Sequence, residues 1–121
     1  MSSDPKTVVR GFVEAAFVQH DADAMARYTD NDELKQAAAR FGAAFPDIEL
    51  TVEHLVAEGD IVAVRVTGRA THLGDFQGIA PTHRRWEATG SAWYRVEGDK
   101  ISDFWVNWDT LSILRQIGAL G

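Results

Sequence analysis

The sequence predicts a single α+β domain, with helices segregated onto one face of a curved, mostly antiparallel sheet. Three observations carry that expectation. Apolar residues recur at helical spacing as far as Pro46, and they alternate from Ile48 to Trp108. A chain of 121 residues is long enough for one hydrophobic core and too short for two.

The elements follow in order. "SSDPKTVVRGFVEAAFVQHD" offers Ser3 or Asp4 as a helix cap and Pro5 at the first helical position. Val8, Val9, Phe12, Ala15 and Ala16 then keep a helical period. "ADAMARYT" predicts a second, short helix that starts from Asp21 and ends near Tyr28. "DELKQAAARFGAAF" predicts a third, capped by Asp32, with Leu34, Ala37, Ala38, Phe41 and Phe45 as its apolar stripe and Pro46 as its stop. "IELTVEHLVAEGDIVAVRVTGRATH" reads as two strands joined at "EGD", and "RRWEATGSAWYRV" and "ISDFWVNWD" as two more joined at "EGDK". "TLSILRQIGAL" returns to helical spacing. Between the second and third strands lies "GRATHLGDFQGIAPTHRR", Gly68 to Arg85. It is longer than a hairpin needs, and loops of that kind often carry function.

Composition excludes several classes of function. Hydrophobic content of 45% with 25% charged residues is ordinary for a soluble globular protein. No run approaches the roughly 18 apolar residues of a membrane span, and no signal-like segment opens the chain. The absence of cysteine excludes disulfides, thiolate catalysis and zinc sites built on sulfur, and a cytoplasmic location is the expectation. A net charge of −6 with twelve scattered basic residues argues against nucleic acid as a partner. Four histidines without tight spacing to carboxylates predict no metal site, and neither a nucleophile elbow nor a phosphate-binding glycine loop is present.

Strand alternation sorts the side chains that could do chemistry. In the last strand Ile101, Asp103, Trp105, Asn107 and Asp109 fall on one face, and Ser102, Phe104, Val106 and Trp108 on the other. Both faces carry large apolar groups, so one should meet the helices and the other a second subunit. Phe104, Val106 and Trp108, together with Trp86 and Tyr94, are assigned to a homodimer face opposite the helices. Asp109 shares its face with Trp105, and a carboxylate buried beside indole rings is a usable acid or base. It also stands directly before the last helix, where an aspartate can serve only as a cap. His72, at the end of the second strand, is either a partner for such a carboxylate or a hydrogen-bonded structural histidine. Tyr28 either reaches a pocket or packs between helices.

Several separated motifs, in order, resemble the SnoaL-like polyketide cyclases of the nuclear-transport-factor-2-like superfamily, which also holds the ketosteroid isomerases. They are "FPD" at Phe45 to Asp47, "GD" at Gly59 and Asp60, "G-x-x-T-H-x-G-x-F-x-G-I-x-P-T" from Gly68 to Thr82, and the ending "I-x-D-x-W-x-x-x-D-x-L-x-x-L-x-Q-x-G". The resemblance implies a cone-shaped fold whose loop closes the mouth of a cavity. It implies Asp109 as the acid/base aspartate, His72 as the loop histidine and Trp105 as part of an aromatic wall. Trp93, Asn107, Tyr28 and Phe76 are the further residues expected to line the pocket. Members of the family close a ring by intramolecular aldol condensation without a cofactor, on hydrophobic polyketide-like carbonyl compounds. Related members hydroxylate such compounds, and a non-catalytic, dimeric binder of a small apolar ligand is the alternative reading. Two features depart from the family pattern. "YTDNDELKQ" passes from one helix to the next without the usual wall strand, so Tyr28, Leu34 or a partner chain should bound the cavity there. His83 replaces the glycine of the family's "P-T-G-R".

Overall fold

The computed structural model describes residues 4–120. Helix α1 (Pro5–Phe17) begins where Asp4 accepts a hydrogen bond from the amide of Lys6. Ser3, the other expected cap, lies outside the described residues. Helix α2 (Ala22–Met25) starts at Asp21, whose carboxylate accepts from the amides of Asp23 and Ala24, and it stops short of Tyr28. Helix α3 (Asp32–Ala44) is capped by Asn31 rather than Asp32. The Asn31 side chain reaches the Leu34 amide, three residues on, which is the reach a cap requires.

Four strands follow, β1 (Glu49–Glu58), β2 (Ile61–Thr71), β3 (Arg85–Glu97) and β4 (Lys100–Trp108), paired antiparallel in the order 1-2-3-4. Gly59 and Gly98 turn the two tight hairpins at φ 60° and 63°, a region that costs glycine nothing. Helix α4 (Thr110–Gln116) closes the chain. Between α2 and α3 the chain makes one parallel bridge, Thr29 to Ile101. The Ile101 amide donates to the Tyr28 carbonyl at 2.7 Å, and the Thr29 hydroxyl donates to the Ile101 carbonyl at 2.7 Å. That bridge stands where a wall strand was expected to be missing, and β4 is otherwise the edge of the sheet.

The helices cover one face of the sheet. Val62, Val64 and Val66 of β2 and Tyr94 and Val96 of β3 pack under Val8, Val9 and Phe12 of α1. At the other end Phe45, Ile48, Ala70, Phe76, Trp86, Ile113 and Ile117 form a second cluster. Asp47 joins the two regions by accepting from the Thr71 amide at 2.8 Å.

The sequence grouping of Phe104, Val106 and Trp108 with Trp86 and Tyr94 holds, but that face meets the helices rather than a second subunit, and Ile101 joins it. Arg95 pairs with Asp103 and Val96 with Ile101, so Ser102 is an extra residue opposite the β3 backbone. A bulge of this kind changes which residues point inward. Ile101 and Phe104 both turn toward the helices, followed by Val106 and Trp108. The five residues assigned to a dimer face lie together on the helix side instead: the alternation of β3 leaves Trp86 2% and Tyr94 4% exposed, and Phe104, Val106 and Trp108 share their face. Trp93 and Trp105 are the tryptophans in solvent, at 48% and 45%. Gly68 and Gly90 explain the choice. A Cβ on either would lie 2.8 Å from the Trp108 ring, so the two glycines open a slot for it on the inner face.

Candidate ligand cavity

A cavity of about 210 Å³ lies between α1, α3 and the inner face of the sheet. Phe12 and Phe17 come from α1, Leu34 and Phe41 from α3, and Phe104 and Trp108 from β4. The Trp108 ring stacks on Phe41, with centroids 5.0 Å apart and planes 14° from parallel. Val106, 43% exposed, marks the open side along the edge strand. Ser91, Tyr94 and Trp108 are the lining residues with polar side-chain atoms, and the lining has no charged residue. Leu34, one of the two residues expected to bound the cavity there, lines it, and Tyr28 does not.

The site residues expected from the sequence do not line this cavity. Asp109 accepts from the Ser112 amide at 3.1 Å and caps α4. It is exposed, in an open polar depression with Arg65, Ser91 and Asn107. Trp93 and Trp105 stand on the same outward face, paired with each other across β3 and β4. Past the β4 bulge the odd-numbered residues from Asp103 onward face away from the helices, and on β3 the regular alternation that buries Trp86 and Tyr94 turns Trp93 outward.

His72 is fully buried and is not joined to Asp109. Its Nδ1 accepts from the Thr82 amide at 3.2 Å and lies 3.1 Å from the Thr82 hydroxyl. An amide only donates, so Nδ1 is bare and the ring proton sits on Nε2, which has no hydrogen-bond partner among the described residues. Around it the loop is a clasp. Leu73 and Gly74 both donate to the Ala44 carbonyl at the end of α3, and a Cβ on Gly74 would collide with the Ala43 carbonyl oxygen. Gln77 and Gly78, at φ 51° and 86°, form the tight turn between Phe76 and Ile79. Phe76 is 8% exposed and packs 5.0 Å from Phe45, in the second core cluster rather than in the cavity. Tyr28 lies over Gly11, where any Cβ would strike its ring, beside a different depression flanked by Arg10 and Arg27.

Phe41, Tyr94 and Trp108 are the cavity residues that sequence reasoning did not select. The glycines were the available signal. Gly68 and Gly90 share the valine and alanine face of their strands, and only a large ring from β4 makes use of the room they leave.

The sequence profile of the SnoaL-like polyketide cyclases matches residues 3–117. The chain belongs to the SnoaL-like polyketide cyclase family. No curated protein sequence matches it. Among solved structures it is similar to AclR of Streptomyces galilaeus, a candidate hydroxylase, at 25% identity and a TM-score of 0.81, over 95% of this chain and 81% of that one. IdmH of Streptomyces antibioticus, a candidate polyketide cyclase, is 27% identical with a TM-score of 0.79, over 96% and 99%. A candidate polyketide cyclase of Acidithiobacillus ferrooxidans is 22% identical with a TM-score of 0.82, over 100% and 99%. These SnoaL-like structures share the arrangement of helices on an antiparallel sheet. Within it the segment between α2 and α3 of this SnoaL-like chain makes the Thr29–Ile101 bridge.

Proposed function

We propose that this protein is polyketide cyclase-like: it takes a small apolar carbonyl compound into the cavity and holds it folded for ring closure, without a cofactor. The lining supports this reading. Aromatic rings on three sides with few polar side-chain atoms and no charge suit an apolar, uncharged guest. In an intramolecular aldol closure a base takes a proton from one carbon, that carbon bonds to a ketone carbon of the same chain, and the former ketone oxygen takes up a proton. Holding those two ends close and water out supplies a large part of such catalysis. The family and the similarity to IdmH point the same way.

A second reading assigns the proton transfer to Asp109, and one observation favours it. Trp108 and Ser91 border both the cavity and the depression that holds Asp109. A Trp108 side chain swung aside would bring the carboxylate to the end of a bound guest. His72 has no part in that step, because its loop encloses it.

The test is binding of tetralin, an apolar two-ring probe, followed by quenching of tryptophan fluorescence. Ala37→Phe places a ring in the cavity and should weaken binding by about tenfold or more through lost burial, without lowering the melting temperature. Asp109→Asn keeps the α4 cap and should leave binding within about twofold. A wild-type protein that ignores the probe, or an Ala37→Phe variant that binds it equally, ends the cavity reading. With a cyclisable substrate, a loss of about 10²–10⁴-fold in turnover for Asp109→Asn establishes the second reading.

The same proposal includes a homodimer, now through the outward face. Trp93 and Trp105 stand together there, with the Arg95 guanidinium 5.8 Å from the Trp105 ring. Trp105→Glu should shift a dimer to a monomer in light scattering at micromolar concentration. A monomeric wild-type protein removes this part of the proposal.

A further inference from the structure

We infer that the Tyr94 hydroxyl is the polar anchor of the cavity, and that the guest is an uncharged one- or two-ring compound presenting a ketone oxygen to it. The inference rests on the cavity reading above and adds the chemical class of the guest.

Tyr94 is held in place before any ligand arrives. It pairs with Val62 on one side and Phe104 on the other, and its ring lies 6.0 Å from Phe12. Among the described residues no hydrogen bond reaches its hydroxyl, and burial alone pushes its ionisation up. The polar side-chain atoms that are wholly enclosed without a partner are His72 Nε2 and Trp86 Nε1. The Tyr94 oxygen is not among them. It has no partner among the described residues, and Tyr94, only 4% exposed, lines the cavity.

A buried hydroxyl without a partner is costly, so such an atom beside a void calls for an acceptor from a ligand. Because burial keeps the phenol protonated, it acts as a donor throughout the working pH range. The acceptor is uncharged, since no lysine or arginine lines the cavity to balance an anion. Size sets the rest. A dry cavity of about 150 Å³ admits benzene. About 210 Å³ therefore takes one ring with a second fused to it, and anything larger projects past Val106 at the open side. Ser91 and the Trp108 indole N–H, both at the rim shared with the outward depression, are the competing anchors.

The experiment compares 1-tetralone with tetralin, which have the same two-ring body with and without a ketone oxygen. Binding of each is titrated to the wild type, Tyr94→Phe and Ser91→Ala. The wild type should prefer the ketone by about three- to tenfold, the range of one net hydrogen bond. Tyr94→Phe should erase that preference, keep its affinity for tetralin, and melt no lower than the wild type. Ser91→Ala should retain the preference. If tetralin binds the wild type and the ketone is not preferred, the anchor is wrong while the cavity reading stands. A preference that survives in Tyr94→Phe, or disappears only in Ser91→Ala, also overturns it. If neither probe binds, the cavity reading falls and the anchor with it.

Discussion

Phe45→Ala should destabilise the protein by about 3–5 kcal/mol, the usual range for removing a buried phenylalanine ring. The ring is fully buried at the end of α3 and has four aromatic neighbours. Phe41, Phe76 and Trp86 lie with their centroids 5.0 Å away, and His72 lies at 6.0 Å. These neighbours come from a helix, a loop and a strand, so no single small movement can refill the void. The same ring supports the His72 clasp, whose hydrogen bonds to Ala44 sit one residue away. Against a total stability of about 5–15 kcal/mol for a domain, such a loss is large. Urea unfolding with an unchanged slope would measure it. A cost below about 1.5 kcal/mol would show that the second cluster is loosely packed and that the clasp does not depend on it. Tetralin affinity under native conditions should change little, because Phe45 does not line the cavity.

Much of this arrangement is legible in the sequence. The apolar stripe of α3, the alternation of β2 and β3 and the two glycine turns specify the elements and their order, because each is a local pattern. The motifs around Phe45, His72 and the chain ending carry the family. The direction of the β4 side chains is not legible in the same way. It depends on whether Ser102 counts in the register, and a bulge leaves no mark in the alternation of "ISDFWVNWD". That one residue decides whether Ile101 shares its face with Trp105 or with Trp108. His72 was misplaced for another reason. A histidine at a strand end next to a glycine-rich loop looks accessible, and only the return of Thr82 onto its Nδ1 encloses it. Asp109 was ambiguous on the page, either an acid/base group or a cap. The structure uses it as a cap, and any chemical role has to be reached past Trp108.

Gly90→Val should cost about 1–3 kcal/mol in the wild-type background, and the same substitution should become neutral or stabilising once Trp108 is alanine. In the first case the new side chain meets the Trp108 ring at its Cδ2 and Cε3 atoms, 2.8 Å from where the Cβ must stand. Overpacking of that kind forces the ring off its stack with Phe41 and away from Trp86, whose centroid lies 5.9 Å from it. In the Trp108→Ala background the obstacle is gone. Valine then fills part of the empty slot, and it suits a central strand better than glycine. The change of sign is the decisive feature, since two independent sites would give the same loss in both backgrounds. Urea midpoints for the four proteins of the cycle measure it directly. An equal cost with and without the tryptophan would mean that Gly90 is required by the backbone alone, and that Trp108 is not seated in the slot assigned to it. A coupling of at least about 1 kcal/mol would establish Trp108 as the wall between the cavity and Asp109. In the same cycle Gly90→Val should weaken tetralin binding several-fold, because the displaced ring no longer closes that wall.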